Sequence, residues 1–193
     1  MRCYDPGDAP LLSDAVDSSL DHLRPWMPWA HEAPLPREQV VDLLRRFRGQ
    51  FDLGQDFIYG IFGDDESEVV GGTGLHTRVG PEAFEIGYWI RESRARQGFA
   101  TEVTAALTRV GFEVCDARRI EIRVDPNNEA SLGIPRKLGF VEEGLLRSVF
   151  HDDLGQAGGR DAVLFSLVRR DLPVSPVAAA EVRAFDAGGE RLL

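Results

Sequence analysis

The chain has 193 residues, 43% hydrophobic and 28% charged, an ordinary balance for a soluble globular protein with one sizeable core. Its 32 acidic against 22 basic residues leave a net charge of −10, which repels nucleic acid and anionic membranes and mildly favours cationic partners such as an ammonium group. Two cysteines, Cys3 and Cys115, make neither a disulfide framework nor a metal-ligand spacing, and no apolar run approaches the roughly 18 residues of a membrane span.

The opening Met1-Arg2-Cys3-Tyr4-Asp5-Pro6 lacks the apolar core of a secretory signal, so the cytoplasm is the expected location. Leu11, Leu12, Ala15, Val16, Leu20 and Leu23 recur at helical spacing and predict a helix over 8–23. Pro25 and Pro28, set among Trp26, Met27 and Trp29, prevent that helix from continuing. A second helix is expected over 37–50, with Pro36 suited to its first turn. Phe57 to Phe62 and Val69 to His76 read as strands around a polar turn, and Phe84 to Ile90 alternates as a third. Phe99, Val103, Ala106, Leu107, Val110 and Val114 then mark the clearest helix, and Ile120, Ile122 and Val124 a half-buried strand. Strand, long helix, strand is a βαβ unit, whose two strands run parallel through a right-handed crossover. A short helix over 128–138 carries Pro135 in its interior, where a kink is expected, and stops at Gly139. Phe140 to Phe150 and Ala162 to Val168 supply the last core strands. The expected fold class is α+β (mixed α/β), a mostly antiparallel central sheet with one parallel βαβ unit and helices on both faces. Residues 1–172 are expected to form a single domain, and 173–193 either a tail or one extra edge strand around Val182 to Phe185.

Gln97-Gly98-Phe99-Ala100-Thr101 joins the third strand to the long helix. A glycine turn feeding a helix can seat phosphates, because free N–H groups and about half a positive charge of the helix dipole sit there. A P-loop would need Lys-Ser or Lys-Thr after the last glycine, where Phe99-Ala100 stands, and a dinucleotide fingerprint would need three glycines where only Gly98 is present. The remaining pattern is a coenzyme A pyrophosphate loop of the form Q/R-x-x-G-x-G/A.

In that loop and in four further segments the chain resembles the GNAT N-acetyltransferase superfamily, and within it the RimJ/RimL-like branch. Gly98-Phe99-Ala100-Thr101-Glu102 is similar to the loop running into its helix, with Ala95 departing from the Gln or Arg of its first position. Glu85 to Ile90 is similar to the preceding strand, Asn128-Glu129-Ala130-Ser131 to an N-x-x-S element, Lys137-Leu138-Gly139-Phe140 to the following K-L-G-F, and Trp26 to Trp29 to a tryptophan-rich connection.

The resemblance implies a GNAT-type fold, acetyl-CoA as co-substrate, no metal, and direct transfer of the acetyl group to a primary amine of a protein N-terminus or a small molecule. Coenzyme A would be held along Trp89, Ile90 and Arg91, at Arg96, Gln97, Gly98, Phe99, Ala100 and Thr101, and beside Asn128 and Ser131. Arg96 or Arg94 would replace the cation missing at Ala95. Ser131 would protonate the leaving thiolate, a role that elsewhere falls to a tyrosine; Ile134 and Pro135 occupy that region here. Glu85, on the strand face shared with Gly87 and Trp89, is a candidate base, and His76 a second one, histidine being the side chain that ordinarily titrates near neutrality. Trp26, Trp29, His76 and Phe150 are candidate walls of the acceptor pocket, with His151, Asp152 and Asp153 as candidate holders of an ammonium group. Each has a plainer reading: Asn128 is a good helix N-cap with Ser131 at the third helical position, Glu85 suits a solvated strand, and the tryptophans suit a core. A monomer or homodimer is expected. The competing function is a non-catalytic acyl-CoA-binding sensor or interaction module on the same fold.

Overall fold

The computed structural model describes residues 1–150 and 159–193. Seven strands, β1 (Arg2–Cys3), β2 (Phe57–Phe62), β3 (Val69–His76), β4 (Ala83–Ile90), β5 (Arg119–Val124), β6 (Val141–Phe150) and β7 (Arg160–Val168), form one mixed sheet in the order β1-β2-β3-β4-β5-β7-β6. The helices are α1 (Ala9–Asp17), α2 (Leu20–Leu23), α3 (Arg37–Asp52), α4 (Phe99–Glu113) and α5 (Glu129–Lys137). The one parallel pairing sets Ala83, Phe84 and Glu85 of β4 against Arg119, Ile120 and Glu121 of β5, with α4 as the crossover; the mostly antiparallel α+β expectation holds. The described residues divide into two compact units: Met1–His76 with Gly87–Phe99, and Thr77–Ile86 with residues 100–150 and 159–193.

In the first unit the apolar faces of α1 and α3 bury Leu12, Ala15, Val16, Val40 and Leu44 with Tyr4 and Val69. The single helix expected over 8–23 is interrupted. Ser18 donates its hydroxyl to the Asp14 carbonyl at 2.6 Å, Ser19 leaves helical dihedrals, and the Ser19 Oγ accepts the Glu92 N–H at 3.0 Å. Serine hydroxyls compete with the helix ladder, and here they end it. Strand β1, at two residues, is too short to show periodicity, and no strand was expected there. It pairs antiparallel with β2, and Arg2 reaches Asp8 through two hydrogen bonds of 2.7 and 3.0 Å.

That pair has a pH consequence. Burial opposes ionisation of Asp8, yet the Arg2 guanidinium and the Asp5 N–H overcome it and hold the carboxyl below the usual carboxylate range. A carboxyl depressed on folding contributes stability that is present above its unfolded value, near about 4, and lost as pH falls through its folded value. We expect the urea midpoint of this unit, read by tryptophan fluorescence, to fall below about pH 4, and to fall less steeply in Asp8→Asn.

In the second unit, β5 and β7 bury Ile120, Ile122, Val124, Phe165 and Leu167. Helix α5 is capped by Asn128, whose side chain accepts the Ser131 N–H at 3.1 Å, and it carries Glu129 in its first turn and Arg136 and Lys137 in its last, matching the dipole. Pro135 lies inside α5. Val182 to Phe185 adds no strand to the sheet; the only bridge there joins Phe185 to Arg191 within the tail itself.

Candidate active site

Strand β3 reads Val69-Val70-Gly71-Gly72-Thr73-Gly74-Leu75-His76, and its glycines make room for what lies on it. A Cβ at Gly72 would fall 2.5 Å from the indole nitrogen of Trp89, and one at Gly74 would fall 2.5 Å from Nε2 of His76. The ring of Trp89 packs edge-on against that of Trp29, with centroids 5.7 Å apart. A residue expected along the cofactor and one expected in the acceptor wall are thus in contact. Trp29 is 41% exposed, while Trp26 is half-buried in the turn after α2.

His76 carries a partner that was not anticipated. Its Nδ1 lies 2.9 and 3.1 Å from the two carboxylate oxygens of Asp56, and both side chains are largely buried. A carboxylate only accepts, so Nδ1 carries the hydrogen and Nε2 of the neutral ring presents its lone pair. The signal for Asp56 was present in the hairpin register. Phe57 pairs with Leu75, so the preceding residue stands opposite His76.

The loop after β4 sorts its arginines. Arg91 is a structural anchor: its guanidinium is 12% exposed and bridges Asp14 at 3.0 Å and Glu68 at 3.5 Å, and its N–H donates to the Val70 carbonyl at 2.9 Å. The Arg91 amide is therefore engaged within the fold, although Arg91 was expected to help hold coenzyme A. Arg94 is ion-paired with Glu68. Arg96 is exposed and has no ion pair among the described residues, so of the two cations considered for the gap at Ala95 it is the one left available. Its φ of 63° is left-handed, a conformation costing a non-glycine residue about 1 kcal/mol or more, and such outliers gather at ligand sites. Gly98 follows at φ 96°, exposed, with no atom within 4 Å of where a Cβ would stand. Phe99, Ala100 and Thr101 then open the 15-residue α4, whose first amides have no acceptor within their own helix. An exposed glycine turn on a long helix fits a diphosphate.

In the second unit Glu85 is 4% exposed, which replaces the solvated-strand reading with a buried one. Both of its oxygens face guanidinium groups: Arg78 donates at 2.5 Å to one and 3.2 Å to the other, and Arg123 stands 3.3 Å from the second. Ser131 is half-buried on the first turn of α5. Phe150 ends β6 with the Arg160 guanidinium 5.7 Å from its ring centre. His151, Asp152 and Asp153 lie outside the described residues. Among those described, no group of three or more His, Cys, Asp or Glu is placed to hold a metal, and no helix is long and apolar enough to cross a membrane.

A parallel β4–β5 pair bridged by α4, in an otherwise antiparallel sheet with a glycine turn before that helix, defines an acyl-CoA-type acyltransferase fold. Residues 1–141 match the acetyltransferase (GNAT) domain family, and the chain belongs to it. It is 34% identical over 137 residues to p20 of Bacillus licheniformis, named an uncharacterized N-acetyltransferase, covering 69% of this chain and 74% of that one. It is 28% identical over 176 residues to the [ribosomal protein uS5]-alanine N-acetyltransferase of Escherichia coli (strain K12), covering 89% and 88%. Among solved structures, Mycobacterium smegmatis RimJ in complex with CoA-disulfide superposes with a TM-score of 0.76 at 27% identity, covering 92% of this chain and 85% of that one.

Proposed function

We propose that the protein transfers the acetyl group of acetyl-CoA to a primary amine by direct attack, with a protein N-terminal α-amine as the preferred acceptor. The observation that carries this reading is the exposed Gly98 turn at the head of α4, in a chain whose residues 1–141 match the GNAT domain. The amides of Gly98, Phe99, Ala100 and Thr101 would hold the diphosphate, with Arg96 and Gln97 beside it and Trp89 and Ile90 lending main chain to the pantetheine arm. Asn128 and Ser131 would flank that arm, and the Ser131 hydroxyl would pass a proton to the departing sulfur. Trp26, Trp29, His76 and Phe150 would shape the acceptor side.

Energetics supports an α-amine. Freeing a lysine amine of pKa about 10.4 at pH 7 costs roughly 4–5 kcal/mol, against roughly 1 for an α-amine near 8, within reach of one modest base. The E. coli relative named for the alanine of uS5 supports a ribosomal-protein terminus in the cytoplasm as the first acceptor to try. Cys3 and Cys115 are both half-buried, and burial raises both thiols, which disfavours an acyl-cysteine route.

The test is calorimetry with coenzyme A on the wild type and on Gly98→Ala. Alanine at φ 96° is strained, so the turn must shift, and the dissociation constant is expected to rise about tenfold, equivalent to about 1.4 kcal/mol. Unchanged affinity in the variant would remove Gly98 from the site. No affinity in the wild type would sink the reading, and binding without transfer to any amine would favour a non-catalytic sensor.

A further inference from the structure

We propose that His76 is the proton acceptor for the incoming amine and that Asp56 is its positioning residue. This rests on the acetyltransferase reading and deepens it. Two candidate bases stood in the sequence, and their surroundings separate them. Glu85 is buried with both oxygens already engaged by the guanidinium groups of Arg78 and Arg123. His76 is held at one nitrogen only. Asp56 fixes Nδ1 at 2.9 Å, and Nε2 has no hydrogen-bond partner among the described residues.

The backbone beneath the ring is shaped to it. Nε2 sits 2.5 Å from the Cβ position of Gly74 and 3.5 Å from that of Gly87, so the imidazole lies over two residues without side chains. A β-carbon at residue 74 would push the ring away. The same face of β3 carries Trp89 over Gly72, with Trp29 against it, so the free nitrogen belongs to a surface bearing two large aromatic walls.

The proton balance closes. An ammonium acceptor gives one proton to Nε2, leaving a neutral amine and an imidazolium whose Nδ1–H remains on the Asp56 carboxylate. The amine nitrogen bonds to the thioester carbonyl carbon, the carbon–sulfur bond breaks, and the nitrogen's surplus proton passes through water to the sulfur. The imidazolium returns its proton to water. The products are the acetamide, coenzyme A thiol and one released proton. Asp56 never takes the proton; it keeps the basic nitrogen outward.

The experiment uses Asp56→Asn on the full chain, with His76→Gln to assign the signals of His76 among the four histidines. Long-range nitrogen–proton NMR at mildly alkaline pH is expected to show His76 with its hydrogen on Nδ1 in the wild type. In Asp56→Asn the carboxamide can donate to Nδ1, and the hydrogen is expected to move to Nε2. In that variant kcat for acetyl transfer, measured on a peptide beginning with alanine or on whichever amine of a polyamine and aminoglycoside panel the wild type acetylates fastest, should fall about 10²-fold. Coenzyme A affinity should stay within about twofold. An unchanged tautomer, or kcat within about threefold of wild type, overturns the dyad. A wild type that binds no coenzyme A, or acetylates nothing, counts against the acetyltransferase reading instead, and the tautomer then decides the dyad alone.

Discussion

Alanine at Gly71, whose Cβ position makes the shortest approach among the described glycines, is expected to destabilise the unit built on β1 to β3 by about 3 kcal/mol or more. The new Cβ would stand 2.2 Å from the carbonyl oxygen of Trp89 and 3.1 Å from the Cα of Ile90, both backbone atoms of the adjacent strand. No rotamer change relieves a contact with main chain, so β3 and β4 must separate where the Arg91 N–H meets the Val70 carbonyl, or the variant stays unfolded. Gly49, inside α3, is the control, because nothing lies within 4 Å of its Cβ position and alanine there favours the helix by about 0.5–1 kcal/mol. All three tryptophans, Trp26, Trp29 and Trp89, belong to this unit, so denaturant melts followed by their fluorescence read it directly. Gly71→Ala with a midpoint at or above that of wild type would mean that the strands do not approach as closely as described.

The contrast between those glycines explains what could be read without coordinates. Local sequence pattern located β2 and β3 to the residue, as apolar runs around a polar turn, and α3, opened by Pro36, to within two at its end. The same criterion joined α1 to α2, because nothing local shows that the Ser19 hydroxyl is claimed by the amide of Glu92, 73 residues away. The cap at Asn128 was legible because donor and acceptor are three residues apart. Arg91 was expected to lie along the cofactor with Trp89 and Ile90, yet its guanidinium is held by Asp14, a pairing across 77 residues that no short window contains. Asp56 falls between these cases. It is distant in sequence from His76, but the antiparallel register of two correctly located strands already put them opposite one another. Local chemistry and strand pairing were readable; long-range ion pairs were not.

The start of α5 offers a separation of structure from chemistry, and Ser131→Ala is expected to lower kcat about 10²-fold with little change in KM or stability. Asn128 accepts from the backbone N–H of Ser131, a group that alanine retains, so the cap survives the substitution. What disappears is the hydroxyl proposed to deliver a proton to sulfur. Asn128→Ala does the reverse: it removes the acceptor, exposes the first-turn amides, and should cost about 1 kcal/mol. Amide hydrogen exchange along Glu129–Lys137 would report that loss as faster opening in Asn128→Ala and wild-type protection in Ser131→Ala. If Ser131→Ala kept kcat within about threefold, water would be the proton donor. If instead it opened α5 as much as Asn128→Ala, the serine would be a structural residue of the cap.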